Sequence, residues 1–203
     1  LDVGCSEGVF FGALRDIGYG EEMYGVEPNP EFAAFAARQT GARVYPSLDG
    51  LTERFDLITL SHVFEHFLRP DEFLREIRKN LSETGLLYID VPDVNEYASL
   101  ADLHIAHLYH FSSRTLTELL EVSGFKVVAC EAHRPPHHPR SVRLVAMHTN
   151  AGGGGTIAIG KETEREAWQA VRKTPVYRYL LRRKLAGFKL LRVVYRTFIR
   201  GLR

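Results

Sequence analysis

The sequence predicts an α/β fold in which a doubly wound, mostly parallel sheet of seven strands is covered by helices. Short apolar runs with strand character alternate along the chain with longer runs of helical spacing, as consecutive β-α-β units require. The last two apolar runs, residues 125–132 and 141–148, are separated only by a short proline-rich segment. That spacing is too short for a crossover helix and predicts a terminal hairpin.

The first 27 residues form the unit around which the other elements are arranged. A buried strand ends at Gly4, a tight turn covers residues 5–8, a helix covers residues 9–17, and a second strand, residues 23–26, ends at Glu27. Such a unit offers backbone N–H groups at a helix N-terminus and a carboxylate about 20 residues later that suits ribose hydroxyls. It therefore predicts a site for a nucleoside-bearing cofactor.

The glycine pattern of the turn distinguishes between cofactors. A dinucleotide fingerprint requires G-x-G-x-x-G, with a glycine at its centre that lets the backbone approach a pyrophosphate. Here the turn is Gly4-Cys5-Ser6-Glu7-Gly8, so a serine occupies the centre and a carboxylate follows it. This pattern opposes a nicotinamide-dependent oxidoreductase and favours a cofactor without phosphate that carries a sulfonium and an α-amino group.

The remaining elements follow in regular alternation. The predicted helices are residues 29–40, 70–81 and 112–122, and the predicted strands are residues 42–45, 55–60, 86–91, 125–132 and 141–148. We expect Phe32 and Phe35 to occupy the inner face of the helix over residues 29–40. A glycine-bounded turn is expected at residues 83–85, between the helix and the fifth strand.

Five segments resemble, in order, the successive motifs of class I S-adenosylmethionine-dependent methyltransferases. They are residues 1–8, Glu27-Pro28, Phe55-Asp56-Leu57-Ile58, His62-Val63-Phe64-Glu65-His66 and Gly85-Leu86-Leu87-Tyr88-Ile89. The resemblance covers roughly residues 1–149, and it departs from the general pattern at Ser6, where most members have glycine. It implies the Rossmann-like methyltransferase fold, S-adenosyl-L-methionine as cofactor and methyl transfer as the activity.

The resemblance also implies a set of cofactor-binding residues. Gly4, Ser6 and Gly8 would allow the backbone to approach the cofactor. The whole set is Asp2 beside the amino group, Gly4, Cys5, Ser6 and Gly8 in the turn, Glu27 and Pro28 at the ribose, Ser47 and Leu48 at the adenine, and Ser61 and His62 at the methionine part. An ordinary loop is an equal alternative for Ser47 and Leu48. Glu65 and His66 should border the same site, although Glu65 could instead cap a helix.

Three histidines recur at steps of three in Leu-His-Ile-Ala-His-Leu-Tyr-His-Phe, residues 103–111. We predict no metal here, because zinc sites on helices favour steps of four and no cysteine or clear carboxylate joins His104, His107 and His110. The segment from His107 to Ser112 resembles one found in methyltransferases that act on sugars and other small hydroxylated molecules. His107 and His110 are therefore the candidate catalytic bases, and hydrogen bonding within the loop is the alternative.

Charge divides the chain into two parts. Residues 161–203 carry 13 Lys and Arg against 3 Asp and Glu, a net charge of +10, which leaves −9 for residues 1–160. We predict a methyltransferase domain over residues 1–149, a glycine-rich linker over 150–160 and a basic amphipathic helical tail over 161–203. For residues 175–203 an anionic membrane surface, self-association with the acidic body and nucleic acid are the alternatives, nucleic acid being the least favoured.

Composition agrees with a soluble enzyme of the reducing cytoplasm, peripheral at the inner membrane face if the tail binds lipid. The 203 residues are 45% hydrophobic and 25% charged, with two cysteines and thus no disulfide framework. Residue 1 falls inside a predicted strand, so we expect sequence upstream.

We predict O-methyl transfer to a small hydroxylated or sugar-like acceptor, including lipid- or nucleotide-linked glycans. The alternative is a non-catalytic scaffold that docks partners or membrane through its tail.

Overall fold

The computed structural model describes residues 1–97, 102–135 and 140–149, together with Arg165. The chain divides into two units, and the described residues 1–93, 106–135 and 140–149 belong to the first, which contains the whole sheet. The second unit contributes a 3-10 helix, Val94–Glu96, and residues 102–105. The predicted linker and the basic tail apart from Arg165 lie outside the described residues.

Seven strands form one sheet in the order β3-β2-β1-β4-β5-β7-β6. The strands are β1 (Asp2–Val3), β2 (Tyr24–Val26), β3 (Arg43–Tyr45), β4 (Phe55–Ser61), β5 (Leu81–Pro92), β6 (Phe125–His133) and β7 (Ser141–His148). Every neighbouring pair is parallel except those made by β7, which runs antiparallel to β5 and β6. The predicted mostly parallel sheet with a terminal hairpin is confirmed. Its strand order reverses between β1 and β4, where open α/β sheets bind ligands.

The four α-helices in the described part of the chain are α1 (Val9–Asp16), α2 (Pro30–Thr40), α3 (Pro70–Ile77) and α4 (Ser113–Val122). Two of them, α2 and α4, begin at side-chain caps. The Asn29 side chain accepts the first N–H groups of α2, and Gly41 ends that helix with a left-handed φ of 73°. Ser112 and Thr115 form a reciprocal capping box at the start of α4.

The inner face of α2 differs from the prediction. Phe32 and Phe35 are 40% and 41% exposed, and the buried residues of the helix are Ala36 and Thr40. A Cβ placed on Gly8 would lie only 3.1 Å from the Cβ of Ala36 and 3.2 Å from Cγ2 of Thr40. The helix packs so closely on the Gly8 turn that only small side chains fit between them. Residue size, rather than hydrophobicity, therefore decides which face of α2 is buried.

The boundary between α3 and β5 also differs from the prediction. The helix ends at Ile77 and a 3-10 turn follows, so Leu81 is the first residue of β5 and the predicted turn at 83–85 lies inside the strand. The Asn80 side chain donates hydrogen bonds to two loop carbonyls, which fixes the chain at the end of the helical segment. Ile77 and Leu81 are both buried. Their apolar spacing is therefore compatible both with a helix that continues to Leu81 and with a strand that begins there.

The core lies on the central strands. Apolar residues with no exposed surface on β4, β5 and β7 are Ile58, Leu60, Leu87, Ile89, Val91, Val142, Leu144 and Ala146. This core holds the carboxyl ends of β4 and β5 rigidly next to the β1 turn. No helix in the described part of the chain is long and apolar enough to cross a membrane.

Candidate active site

The turn after β1 is a tight backbone cradle. Gly4, Ser6 and Gly8 have φ angles of 76°, 49° and 80°, all in the left-handed region. A Cβ on Gly4 would lie 2.4 Å from Cγ2 of Val63, so no side chain fits there. Helix α1 begins immediately after Gly8, which leaves its first N–H groups facing the turn. The cradle thus lies against the segment that follows β4 and offers donors to a polar ligand.

Ser6 accommodates a conformation that glycine usually adopts. A left-handed φ costs a residue with a Cβ roughly 1–2 kcal/mol. The Ser6 N–H donates to Oε2 of Glu27 at 3.0 Å, a charge-assisted hydrogen bond of a strength that offsets this cost. The departure of this turn from the usual glycine pattern is therefore compatible with the same backbone path.

Glu27 is held at the end of β2 by two backbone donors. Its Oε1 accepts the N–H of Asn29 at 2.8 Å, its Oε2 accepts the N–H of Ser6, and the side chain is 9% exposed. Each carboxylate oxygen can accept a second hydrogen bond. The preorganised carboxylate thus fits the predicted bidentate contact with ribose hydroxyls, and Pro28 beside it is exposed.

Asp2 and Cys5 are both buried in this region. Asp2 accepts a 2.6 Å hydrogen bond from the Thr59 hydroxyl, and burial raises the pKa of its carboxyl to about 6. Burial also raises the pKa of the Cys5 thiol to about 12, and its side chain packs against Phe11 and Ala42. Burial therefore keeps the Cys5 thiol protonated near neutral pH, and its contact with the cofactor stays a prediction.

A second group of residues follows β4. His62 has a left-handed φ of 54° and donates its N–H to the Asp90 carbonyl at 2.8 Å. The next residues form a 3-10 helix, Phe64–His66, anchored by Phe64, which is fully buried and stacks on Phe111 at 5.4 Å between ring centroids. This anchor fixes the position of Glu65. Ser61, at the end of the strand, is exposed.

Glu65 is a buried carboxylate among histidines. It is 1% exposed, with Nδ1 of His62 at 3.7 Å and Nε2 of His107 at 3.9 Å from Oε1. Neither of its carboxylate oxygens accepts a hydrogen bond. The helix-capping alternative for Glu65 is therefore wrong. A buried carboxylate without donors is costly unless a positive charge lies close to it.

The loop that carries His107 is fastened to this 3-10 helix. The N–H groups of Leu108 and Tyr109 donate to the Glu65 carbonyl at 2.9 and 3.2 Å, and Nδ1 of His66 lies 2.8 Å from the Ala106 carbonyl. The rings of His66 and His107 are 4.8 Å apart. Residues separated by about 40 positions in sequence are thereby brought into one cluster.

The three histidines of residues 103–111 do not lie on one helical face, because the segment is irregular. The rings of His107 and His110 are 6.1 Å apart, whereas His104 belongs to the second unit. Burial lowers the pKa of His110, which favours its neutral form near pH 7. The two predicted bases are therefore neighbours beside the Glu65 cluster, and their catalytic role stays a prediction.

The loop after β3 contains Ser47 and Leu48. The Ser47 hydroxyl donates to Oδ2 of Asp49 and accepts the Asp49 N–H, at 3.0 and 3.2 Å. Leu48 is half-buried against the main core. Both features belong to an ordered loop, and contact with adenine stays a prediction for these two residues.

A model of the family described as a methyltransferase domain matches residues 1–130. The chain belongs to this family of S-adenosylmethionine-dependent methyltransferases. No curated protein matches the sequence. The methyltransferase is similar in fold to an S-adenosylmethionine-dependent methyltransferase of Archaeoglobus fulgidus, with TM-score 0.59, 20% identity and coverage of 72% of this chain and 84% of that chain.

Two further solved structures share the fold. Mitomycin 7-O-methyltransferase aligns with TM-score 0.60, 18% identity and coverage of 73% of this chain and 48% of that chain. Magnesium protoporphyrin IX methyltransferase of Synechocystis, solved with bound S-adenosylhomocysteine, aligns with TM-score 0.57, 14% identity and coverage of 73% and 72%. The cofactor of the present methyltransferase is S-adenosylmethionine. The backbone N–H groups of the Gly4–Gly8 cradle suit a polar part of this cofactor, and the Glu27 carboxylate suits its ribose.

One polar pair of the methyltransferase was missed by sequence reasoning. Asp90 lies near the end of β5 and His133 at the end of β6, and Nε2 of His133 is 3.0 Å from both carboxylate oxygens of Asp90. Both strands end at the same edge of the sheet as β4. The available signal was an acidic residue within the apolar run of β5, and nothing local to the sequence pairs it with a histidine 43 residues later.

Replacing Asp2 with Asn in the methyltransferase should raise the free energy of unfolding at pH 7 and flatten its pH dependence. Because burial raises the pKa of Asp2 from 3.8 to about 6, the folded state retains a proton that the unfolded chain releases. The stability contributed by this proton is complete below pH 3.8 and is lost as the pH rises to about 6. The loss amounts to up to about 3 kcal/mol.

Urea unfolding at pH 4, 5, 6 and 7 measures this effect. Asp16, an exposed residue at the end of α1, provides the control variant Asp16→Asn, which should keep the wild-type pH dependence. Equal pH slopes in the wild type and Asp2→Asn would show that Asp2 does not titrate in this window.

Proposed function

We propose that the enzyme transfers the methyl group to a hydroxyl oxygen of a small hydroxylated or sugar-like acceptor, including lipid- or nucleotide-linked glycans. The observation that carries this proposal is the placement of the His107–His110 loop. Its backbone is fastened to the Glu65 carbonyl, and the same 3-10 segment is packed through Val63 against Gly4 of the cofactor turn. Two imidazoles thus lie close to the cofactor cradle.

We assign the role of proton acceptor to His110. The Nε2 of His107 faces the Glu65 carboxylate at 3.9 Å, which commits that nitrogen to the cluster. Burial favours the neutral form of His110, and a neutral imidazole can accept a proton from a hydroxyl. His110 is therefore the better candidate of the two predicted bases.

The reaction requires alignment and one proton transfer. Bound S-adenosylmethionine supplies a methyl group on a cationic sulfur. The Gly4–Gly8 cradle and Glu27 would hold this cofactor, which would supply the methyl group and keep the electron pair of the carbon–sulfur bond, while His110 would accept the proton of the acceptor hydroxyl. Carboxylates at the cradle, Asp2 and Glu27, favour the cationic cofactor over anionic ligands.

The polarity of the surrounding edge supports a hydroxylated acceptor. Besides the Glu65 cluster, the Asp90–His133 pair lies at the same edge, with side chains that are 8% and 20% exposed. Such groups recognise hydroxyls through hydrogen bonds. The fold is compatible with O-methyl transfer, since mitomycin 7-O-methyltransferase shares it.

Incubation of the full 203-residue chain with S-adenosylmethionine carrying an isotopically labelled methyl group, and with a panel of acceptors, tests the proposal. The panel should contain free sugars, nucleotide sugars, lipid-linked glycans and small phenols, together with a protein mixture and total RNA. We expect label on an oxygen atom of one of the small hydroxylated compounds. Label found only on protein or RNA, or on nitrogen or carbon, would overturn the proposal.

A further inference from the structure

We infer that Glu65, His66 and His107 bind a divalent transition-metal ion. One donor atom from each of the three residues lies within 4.8 Å of the others. Two imidazole nitrogens and one carboxylate oxygen suit zinc, iron(II) and manganese(II). The predicted absence of a metal concerned His104, His107 and His110, whereas in this cluster Glu65 and His66 join His107.

The first argument for a cation is the burial of Glu65. Its side chain is 1% exposed, and neither oxygen accepts a hydrogen bond. The His62 and His107 nitrogens, at 3.7 and 3.9 Å from Oε1, are too distant to donate hydrogen bonds to it. An anionic carboxylate in such a place is stabilised by coordination to a metal or by a charged partner. Its position at the centre of the cluster matches a ligand.

The second argument is the orientation of His66. A backbone carbonyl can only accept a hydrogen bond, so the contact between Nδ1 of His66 and the Ala106 oxygen at 2.8 Å places the hydrogen of the ring on Nδ1. In the neutral ring the lone pair is then on Nε2. Hydrogen bonds of this kind to the distal nitrogen are the usual support of metal-ligating histidines.

The third argument is the spacing and access of the donors. Ligands at about 2.1 Å from a tetrahedral zinc ion lie about 3.4 Å from one another. The present donor separations, up to 4.8 Å, require side-chain movements of about 1 Å to reach this value. The loop hydrogen bonds from Leu108 and Tyr109 to the Glu65 carbonyl keep His107 near this distance. His66 is exposed, which gives an ion a path from solvent.

Three protein ligands leave coordination positions open. This part of the inference rests on the proposed function: an acceptor hydroxyl bound at an open position would lose its proton more readily. A cation lowers the pKa of a bound oxygen, and His110, whose ring is next to that of His107, would accept the proton. The binding of the metal itself does not depend on the identity of the acceptor.

Metal binding is tested on the purified full chain without any acceptor. Zinc, manganese and iron bound to the purified protein are first counted by atomic emission. The protein is then chelated, dialysed and titrated with cobalt(II), which is followed by its visible absorption. We expect about one equivalent in the wild type. Removal of a hydrogen bond that supports a ligand typically weakens metal affinity about 10- to 100-fold, so loss of a ligand in Glu65→Gln or His66→Ala should cost at least that much.

His148 provides the matched control. Its Nε2 lies 3.1 Å from the Ser82 carbonyl at the opposite edge of the sheet, so His148→Ala should bind metal like the wild type. His66 is exposed, and His66→Ala therefore tests the site even if Glu65→Gln unfolds. No metal binding by the folded wild type, or equal affinity in the wild type and His66→Ala, would overturn the inference.

The outcomes separate this inference from the proposed function. Metal bound at the site with no transfer to any small hydroxylated acceptor would leave the metal site standing and reject the acceptor class. Undiminished O-methyl transfer by a chelated protein that binds no metal would reject the metal site and leave the acceptor class standing.

Discussion

Replacing Glu27 with Ala should weaken the binding of S-adenosylhomocysteine by roughly 30- to 1,000-fold, or about 2–4 kcal/mol. The carboxylate accepts the N–H groups of Ser6 and Asn29 and still has lone pairs for two ribose hydroxyls. Its removal therefore costs the ligand contacts and also the only described hydrogen bond that holds Ser6 in its left-handed conformation. Isothermal titration calorimetry measures the change directly.

Two further variants define the origin of that loss. Glu27→Gln keeps the volume and one acceptor oxygen but cannot accept from both N–H groups, so its affinity should fall between those of the wild type and Glu27→Ala. Glu31→Ala, in the first turn of α2 and exposed, should bind like the wild type. If folded Glu27→Ala bound S-adenosylhomocysteine with wild-type affinity, the assignment of the ribose contact to Glu27 would fail.

The parts of the fold that the sequence predicts are those specified by local chemistry. Parallel strands buried on both faces read as apolar runs, and Ser112 with Thr115 places the start of α4 correctly. The inner face of α2 was mispredicted because Phe32 and Phe35 are more hydrophobic than Ala36. Only the close approach of Gly8, which is a tertiary contact, requires the smaller residue there.

The residues of the candidate site also fall into those that local sequence specifies and those that only tertiary contacts specify. The turn, Glu27 and the His62–His66 motif are contiguous or belong to one β-α-β unit, so motif and spacing suffice to place them. The pairing of Glu65 with His107 depends instead on backbone hydrogen bonds between segments about 40 residues apart. The histidine segment forms an irregular loop, which places His107 and His110 next to each other beside the carboxylate.

The packing of Val63 on Gly4 couples the two halves of the site. A Cβ on Gly4 would lie 2.4 Å from Cγ2 of Val63, so the cofactor turn and the histidine segment are in direct packing contact. The cluster around Glu65 therefore lies near the turn that we propose to bind the cofactor, and methyl transfer requires such proximity. Substitutions in the cofactor turn should alter the position of the histidine segment, and the converse should also hold. Cofactor affinity must therefore be measured together with turnover in every variant.

Replacing His110 with Asn should lower kcat roughly 10²- to 10⁴-fold, the range typical of a lost general base, with little change in affinity for S-adenosylhomocysteine. His110 lies beside the cluster rather than in the turn, so its removal leaves the cofactor contacts in place. His148→Asn, at the opposite edge of the sheet, should keep wild-type kcat. Single-turnover transfer to the acceptor found in the panel, with calorimetry of both variants, distinguishes the roles: a fall in affinity at constant kcat would assign His110 to positioning instead of proton transfer.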